Sequence, residues 1–352
     1  MQPQSKDTNA NDTPSIVASR DCFPGYHSAY TALRKRVAAV LMDSCANRNL
    51  PEEKKRELVR ELRPRFPLAA CFNVHSVCNL LCIMCPYRTT PASHKAQRMA
   101  PEVFARLLAE FHSIGGRIFT FNNFSDIFAD KSAYAYLETA LQYRDRMQMY
   151  LVTNGVGMDK GYVDYLFDAG FEGIMYVSCH GFSKETYKKT TGKDFFERVK
   201  ANIEYLLARH PFPERIIMQY ATDFSTNEEL MAAIAYWKGK GCHVNAFRTH
   251  SFAGNSGHKS LATIDGPLVG CGETWGVDAG LPFYQIVIQP DGTVSLCCMD
   301  LLASVKLGNV ISDGIQTVWN SKVFMAIVEK LYCGGTLPKN FICRRCSARP
   351  LR

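Results

Sequence analysis

Short apolar runs bounded by turn residues alternate with longer stretches of helical periodicity between residues 70 and 250 of this 352-residue chain. The short runs predict six strands, at residues 71–77, 117–122, 147–153, 174–178, 215–222 and 243–249. The periodic stretches predict five helices between them, at residues 101–113, 133–143, 161–169, 195–209 and 227–238. Strands that alternate with helices in this way are typical of an α/β fold, with a parallel sheet and helices outside it.

The residues after the first predicted strand distinguish between two α/β architectures. No GxGxxG turn opens a helix after residues 71–77, which argues against a dinucleotide-binding fold. Six βα units can instead curl into an open (β/α)6 partial TIM barrel, whose chemistry lies at the carboxyl ends of the strands. Because the first predicted strand ends directly before Cys78, we expect the loop that follows it to lie at the mouth of the barrel.

The alternating pattern is confined to residues 70–260, which we predict to be the core. Residues 1–20 are polar and predict a disordered tail. Residues 21–69 carry helical periodicity, clearest at 30–42 and 51–62, and predict a helical N-terminal extension.

Residues 261–352 follow a different pattern. Apolar runs at 284–288 and 293–297 flank a Gln-Pro-Asp-Gly turn, which predicts a hairpin, and residues 315–331 predict a helix. We therefore predict a separate, small α+β unit that carries several cysteines of its own.

Composition and charge narrow the classes of function. The formal net charge is +8, but the basic residues are scattered, so we predict no nucleic-acid partner. The sequence contains no run of about 18 apolar residues, the length that would predict a membrane span. Its polar first residues lack the apolar segment of a signal peptide. We therefore expect a cytoplasmic protein. Fourteen cysteines in such a chain favour metal ligands over disulfides, because thiols stay reduced in the cytosol.

Three of these cysteines, Cys78, Cys82 and Cys85, form a C-x3-C-x2-C motif. Three thiolates on one short loop can hold three corners of a cubane iron–sulfur cluster and leave the fourth iron open to another ligand. A structural zinc ion would want a fourth protein ligand, for which His75 and His94 are the nearby alternatives.

The motif, with Met84 before its last cysteine, resembles the C-x3-C-x-Φ-C signature of the radical S-adenosylmethionine (SAM) superfamily. The resemblance implies a [4Fe–4S] cluster whose open iron is chelated by SAM, and whose reduction cleaves SAM to a 5′-deoxyadenosyl radical that abstracts hydrogen from a C–H bond. It also implies SAM contacts in the loops after the strands, where Ser125-Asp126 aligns with the usual Gly-Glu. The implied contacts are Met84, Asn123, Ser125, Asp126, Thr153, Asn154, Gly155 and Ser178.

A second group of cysteines, Cys271, Cys297, Cys343 and Cys346, lies in the C-terminal unit. Its surroundings resemble the SPASM/twitch extensions of radical SAM enzymes, which bind auxiliary [4Fe–4S] clusters. Six residues follow Cys346, which favours the twitch form with one cluster and four ligands. Cys298 competes with Cys297, but the two point to opposite faces of a strand and the register of the hairpin favours Cys297. A zinc ribbon built from the same four cysteines is the alternative.

The resemblance implies two outcomes for a substrate radical, both known among aminocyclitol and aminoglycoside enzymes. A dehydrogenase passes an electron to the auxiliary cluster, and we favour this outcome because the cluster offers an electron acceptor. An epimerase returns hydrogen from a thiol, for which Cys179 and Cys242 are the candidates. Three further residues are candidate bases or polar contacts for a small-molecule substrate: His180, Arg248 and His250.

Two other hypotheses remain at this point. A maturase of ribosomal peptides would often carry a winged-helix domain, whereas residues 27–66 are helical without a predicted sheet. A non-catalytic iron–sulfur electron carrier would bind no SAM. For the enzyme we expect a flavodoxin or a ferredoxin as the electron donor.

Overall fold

The computed structural model describes residues 50–122, 124–256, 268, 270, 271 and 281–347. The predicted tail, the predicted helix at 30–42 and the predicted SAM contact Asn123 lie outside these ranges.

One continuous sheet organises the described residues. Its strands are β1 (Ala69–Phe72), β2 (Ile118–Phe121), β3 (Gln148–Thr153), β4 (Ile174–Ser178), β5 (Ile216–Ala221), β6 (His243–Phe247), β7 (Gln285–Ile288), β8 (Thr293–Ser295) and β9 (Lys306–Asn309). They lie in the order β6-β5-β4-β3-β2-β1-β7-β8-β9. The first six strands pair in parallel, as predicted, and the sheet is open because its two end strands do not meet.

Helices connect the parallel strands and complete the α/β pattern. They are α1 (Glu52–Leu62), α2 (Pro101–Ser113), α3 (Ala133–Leu141), α4 (Lys160–Asp168), α5 (Lys184–Thr191), α6 (Phe196–Arg209), α7 (Asn227–Gly239), α8 (Val310–Asp313), α9 (Ile315–Trp319) and α10 (Lys322–Tyr332). Side-chain caps fix several of their starts: Ser183 accepts a hydrogen bond from the N–H of Thr186, and Thr226 accepts one from Glu229. None of the helices within the described residues combines the length and the apolar character that crossing a membrane requires.

The C-terminal hairpin extends the sheet of the barrel. Strand β7 pairs in parallel with β1, from Ala69 opposite Gln285 to Phe72 opposite Ile288. Strands β8 and β9 then continue in antiparallel order. The predicted hairpin is therefore confirmed, but it is joined to the barrel by backbone hydrogen bonds and does not stand apart from it.

Two predicted elements have different bounds in the structure. Strand β1 begins at Ala69 and ends at Phe72, because Val74 accepts a hydrogen bond from the N–H of Met99 and the chain leaves the ladder there. The predicted helix at 315–331 is two helices, since Ser321 lies outside both and caps the second one with its hydroxyl oxygen.

Aromatic packing holds β1 and β2 against the helices. Phe72 and Phe121 both contact Phe104 of α2, each with ring centroids 5.4 Å apart. Thr120 precedes Phe121 in the strand and lines the cavity on the opposite side, as strand alternation requires. The apolar face of the sheet is thus buried under α2, and its other face is available for a site.

Candidate active site

A cavity of about 460 Å³ follows the inner face of the sheet and reaches the loops after the parallel strands. Most of the sequence-predicted site residues border it. They are Cys78, Cys82, Met84, Cys85, Ser125, Asp126, Thr153, Asn154, Ser178, His180 and His250. The structure therefore brings the first cysteine loop and the predicted polar contacts to one place.

The loop at residues 78–85 is held by the carboxyl end of α5. The N–H of Leu81 donates to the carbonyl oxygen of Thr191 at 3.0 Å. The N–H of Ile83 donates to the carbonyl oxygen of Thr190 at 2.9 Å. These two hydrogen bonds fix the backbone that carries the cysteines, although the sequence pattern did not predict α5.

Burial removes water from the three thiols of this loop and raises the pKa of each. The pKa of Cys78 rises to about 12 and that of Cys85 to about 11, and that of Cys82 lies well above its ordinary value. Nearby thiols add to the burial effect at Cys82, where Cys85 and Cys78 raise the pKa further. A metal centre offsets this penalty because a coordinated thiol gives up its proton. The donor set therefore fits a cluster with three thiolate ligands.

The geometry of the two histidines disfavours the zinc alternative. Both ring nitrogens of His75 are engaged, Nε2 with the carbonyl oxygen of Ile127 at 3.2 Å and Nδ1 with the N–H of Val77 at 3.2 Å. His94 is exposed and contacts Ser93. Among the described residues, no three His, Cys, Asp or Glu side chains form a group that could hold a metal ion. Ligands of a four-iron cluster bind separate irons, whereas those of zinc converge on one point.

Asp126 connects the loop after β2 with the loop after β3. Its Oδ2 accepts hydrogen bonds from the hydroxyl of Thr153 at 2.9 Å and from the N–H of Asn154 at 2.5 Å. Its Oδ1 accepts a hydrogen bond from the N–H of Phe128 at 3.0 Å. Burial raises the pKa of Asp126 to about 6, and these three donors oppose the rise. The carboxylate of Asp126, which was expected to contact SAM, thus accepts hydrogen bonds from other groups of this protein.

The turn after β3 needs the glycine that follows Asn154. Gly155 has φ +78°, and a Cβ at this position would meet Cγ1 of Val199 at 3.1 Å. Asn202 of α6 donates to the carbonyl oxygen of Gly155 at 2.8 Å. The predicted Thr-Asn-Gly segment is therefore a tight turn against α6, and its Asn faces the cavity.

Ser178 and His180 both border the cavity at the end of β4, as the sequence predicted. The hydroxyl of Ser178 donates to Oε1 of Gln219 at 3.1 Å. Burial lowers the pKa of His180 to about 4, so its ring is neutral near pH 7. Nδ1 of His180 has no hydrogen-bond partner in the described part of the chain, and the residue has a left-handed backbone with φ +54°.

Aromatic rings form one wall of the cavity beside His180. His250 stacks with Phe247 at a centroid distance of 6.2 Å, and Phe252 contacts Phe124 edge-on at 5.7 Å. All four of these residues border the cavity. This wall is apolar on its ring faces, and none of its four residues is a Lys, Arg, Asp or Glu.

Three predicted catalytic residues do not border the cavity, which disfavours a direct contact between them and a substrate there. Cys179 is buried in the hydrophobic core, because it follows cavity-lining Ser178 and neighbouring strand residues point to opposite sides. Cys242 precedes β6 and therefore lies at the amino end of the strands, away from the loops that carry the site. Arg248 is exposed to solvent outside the cavity.

The second group of cysteines comes together as predicted. Burial raises the pKa of Cys297 well above its ordinary value, and the thiols of Cys343, Cys271 and Cys346 raise it further. The pKa of Cys343 is raised in the same way, first by burial and then by Cys271, Cys346 and Asp300. Mutual interaction between four sulfurs is what a shared metal centre requires, so the donor set fits an auxiliary cluster.

Cys297 and Cys298 have different positions, which favours Cys297 as the ligand, although Cys298 is close enough to have the largest effect of any thiol on the pKa of Cys297. Cys297 is buried and interacts with the distant cysteines of the group. Cys298 borders the cavity together with Met299. The two thiols thus lie on the two sides of one wall, between the cavity and the four-cysteine group.

Sequence reasoning missed several cavity residues because it searched loops and ignored the interior of the barrel. These are Thr120, Phe124, Tyr150, Tyr176, Gln219, Phe247, Thr249, Phe252, Gln285, Cys298 and Met299. Polar residues at inward positions of otherwise apolar strands, such as Gln219 in β5, were the available signal.

Comparison with protein families identifies both parts of this arrangement. The radical SAM superfamily matches residues 72–218, and an iron–sulfur cluster-binding domain, SPASM, matches residues 280–347. The chain therefore carries a radical SAM domain and a SPASM domain. The first domain implies a [4Fe–4S] cluster and SAM as cofactors, and the second implies auxiliary iron–sulfur clusters.

Solved structures agree on the fold. SuiB of Streptococcus suis bound to the precursor peptide SuiA aligns with a TM-score of 0.62 at 12% identity, over 86% of this chain and 76% of that one. BtrN in complex with AdoMet and 2-DOIA aligns with a TM-score of 0.51 at 16% identity, over 76% and 87%. The protein anSMEcpe with AdoMet and the Cp18Cys peptide aligns with a TM-score of 0.53 at 15% identity, over 79% and 85%. No curated protein matches the sequence.

Proposed function

We propose that this protein uses SAM to abstract a hydrogen atom from a hydroxylated small molecule without an acidic group, of the aminocyclitol or sugar type, and oxidises the carbon attacked. One observation carries the proposal. The loop with Cys78, Cys82 and Cys85 borders the same cavity as Cys298, whose neighbour Cys297 belongs to the four-cysteine group. A substrate in this cavity would lie between the two groups of thiols.

The residues divide into three roles. Cys78, Cys82 and Cys85 would hold the first cluster, and Cys271, Cys297, Cys343 and Cys346 would hold the auxiliary one. When bound, the clusters and SAM supply a 5′-deoxyadenosyl radical for hydrogen abstraction and an acceptor for an electron from the substrate. The polar residues of the barrel interior bind and orient the substrate.

Oxidation of a CH–OH group to a carbonyl removes a hydrogen atom, a proton and an electron. His180 is the candidate to accept the proton, because its ring is neutral near pH 7 and the residue borders the cavity. Ser178 and Gln219, already joined by a hydrogen bond, offer further contacts to hydroxyl groups at the same end of the strands.

The charges around the cavity favour a substrate without an acidic group. No Lys or Arg appears among the described residues that border it. A carboxylate or phosphate would therefore be buried there without a cationic partner, which is unfavourable. Aromatic faces such as those of Phe247 and Phe252 can instead contact the apolar side of a sugar ring or an ammonium group.

The test is a SAM-cleavage assay under anaerobic conditions with reduced flavodoxin or ferredoxin as the electron donor. BtrN shares the fold and was solved with 2-DOIA. That compound, other aminocyclitols and sugars without acidic groups therefore form the first panel of substrates. Phosphorylated sugars are the matched negative controls. We expect one compound without an acidic group to trigger formation of 5′-deoxyadenosine from SAM and to be converted to a product lighter by two hydrogens. Preference for phosphorylated compounds, or turnover of peptides alone, would contradict the proposal.

Epimerisation is a second candidate because a thiol, Cys298, borders the cavity. A thiol in this position can return a hydrogen atom to the face opposite the one attacked. In D2O, an epimerase gives a product of unchanged composition that carries one deuterium. The variant Cys298→Ala would then still form 5′-deoxyadenosine but lose the product, whereas a dehydrogenase would keep its product.

A further inference from the structure

We infer that Asp126 and Asn154 are positioning residues for the first cysteine loop, and that Asp126 does not bind the amino group of SAM. The resemblance to the superfamily implied a SAM contact at Asp126. The hydrogen bonds of this chain assign the residue a different task, because they lead from its carboxylate through Asn154 to Cys78. The inference concerns the cluster site alone and does not depend on which substrate is oxidised.

The carboxylate of Asp126 is almost fully occupied by donors from the chain. The residue is 1% exposed, although it borders the cavity. A carboxylate offers about four acceptor positions, and Thr153, Asn154 and Phe128 fill three of them. One acceptor position remains, but with the residue 1% exposed an ammonium group of SAM has little access to it unless a donor is displaced and left buried without a partner. The side chain therefore acts as a brace between two loops.

The shorter side chain of Asp suits this brace. Its carboxylate reaches the backbone N–H of Phe128, two positions further along its own loop, and the N–H of Asn154 across the gap. This closure matches the short turn that an Asp makes with its own backbone. A Glu at the same place would carry its oxygens one methylene further out, beyond these two donors.

Asn154 transmits the position to the cysteine loop. Its Nδ2 donates to Oδ1 of Asn79 at 2.8 Å and lies 3.8 Å from Sγ of Cys78. Its Oδ1 accepts a hydrogen bond from the N–H of Val156 at 2.9 Å, which prevents the amide from turning over. Both N–H groups of the side chain therefore face the loop that would carry the cluster.

A hydrogen bond to a ligand sulfur has a defined consequence for an iron–sulfur cluster. It stabilises the additional negative charge of the reduced state and so raises the reduction potential. Asn154 should therefore make the first cluster easier to reduce. Asp126 acts through position, since it fixes the backbone from which that side chain extends. Its own negative charge, which raises the pKa of Cys78, has the opposite effect on the potential.

The experiment is an EPR-monitored redox titration of the reconstituted full-length protein, following the cluster whose signal changes when SAM is added. The variants are Asn154→Ala, Asp126→Ala and the double variant. Asn202→Ala is the matched control, because Asn202 binds the same turn through the carbonyl oxygens of Gly155 and Val156 but does not contact the cysteine loop. Iron content and SAM affinity, by equilibrium binding, are measured on each protein.

We expect Asn154→Ala to shift the midpoint potential to more negative values, and Asp126→Ala to change the potential or to lose only the irons of the SAM-responsive cluster. The double variant should differ little from Asp126→Ala, since Asn154 acts from the backbone that Asp126 fixes, and Asn202→Ala should match the wild type. The inference is overturned if Asp126→Ala keeps its potential and iron but binds SAM more weakly, or if neither variant changes the cluster. If the Ala variants fail to fold, Asp126→Asn and Asn154→Ser decide between the same outcomes.

Discussion

The two groups of cysteines offer similar ligands, but one is local in the sequence and the other is brought together by folding. The first lies within eight consecutive residues, and its loop is held by two backbone hydrogen bonds to the end of α5. The second is drawn from residues 271–346, which only the folded hairpin and the C-terminal turn bring together. A local motif can therefore be identified from spacing, whereas a dispersed group has to be inferred from what surrounds it.

The regions also differ in how they face the cavity. All three thiols of the first loop border it, whereas the second group touches its wall through the Cys297–Cys298 pair. A free coordination position is useful only where a substrate or cofactor can reach it. The comparison thus favours SAM chemistry at the first region and, under the proposed function, a buried electron-transfer role at the second.

The largest expected effect separates the two regions by activity. Cys82→Ala should abolish formation of 5′-deoxyadenosine, because the first cluster loses a ligand. Cys343→Ala should retain it when the assay is run with a chemical reductant, although less oxidised product should form. Equal loss of SAM cleavage in both variants would show that the two sites do not have separate roles.

The next prediction concerns the two adjacent thiols. Cys297→Ala should lose the auxiliary cluster, whereas Cys298→Ala should keep it, because Cys297 is buried and interacts with Cys343, Cys271 and Cys346, whereas Cys298 borders the cavity. Iron and sulfide analysis after anaerobic reconstitution checks this. The assignment of the two faces is wrong if the results are reversed.

A third prediction tests whether the regions share one folded unit. Ile286 of β7 is fully buried where this strand pairs with β1, so Ile286→Ala should lower the free energy of unfolding by about 2–5 kcal/mol. Ile311→Ala is the control, since Ile311 is 38% exposed and its loss should change stability by within about 0.5 kcal/mol. Denaturation should remain a single transition, and a separate early transition of the C-terminal region would contradict the shared sheet.

The smallest effect is expected at the turn after β3. Gly155→Ala should destabilise the fold by about 1–2 kcal/mol, since an L-residue is strained in the left-handed region and its Cβ would press on Val199. Gly239→Ala provides the comparison, because a Cβ there meets nothing within 4 Å and Ala favours a helix. The denaturation midpoints of the two variants should therefore move in opposite directions, and a common direction would argue against the strained turn.

The sequence was most informative where a feature is local. The parallel strands, the hairpin around its Asp-Gly turn and the first cysteine loop follow from spacing and periodicity. The pairing of β7 with β1 was not predictable in this way, because it joins segments more than two hundred residues apart. Helix α5 was missed because its sequence is largely polar, with Tyr187 as its only large apolar side chain.

At the candidate site, some cysteines lie elsewhere than their residue type alone suggested, and the reason differs from that for the missed helix. Strand alternation already placed Ser178 and His180 on one face and hence Cys179 on the other. Cys242 was considered by residue type, although parallel strands leave their first residues at the end opposite the loops that carry chemistry. Cys298 was treated as a rival ligand, and only its position beside the cavity showed that it has a separate environment.

The most direct test of the two-region account is iron content with Mössbauer spectra, on anaerobically reconstituted wild type and on the Cys78/Cys82/Cys85→Ala triple variant. Two [4Fe–4S] clusters predict about eight irons per chain in the wild type and about four in the variant. SAM should perturb the spectrum of the wild type alone. About four irons in the wild type, or zinc at the four-cysteine group, would contradict the account and remove the electron acceptor on which the proposed oxidation depends.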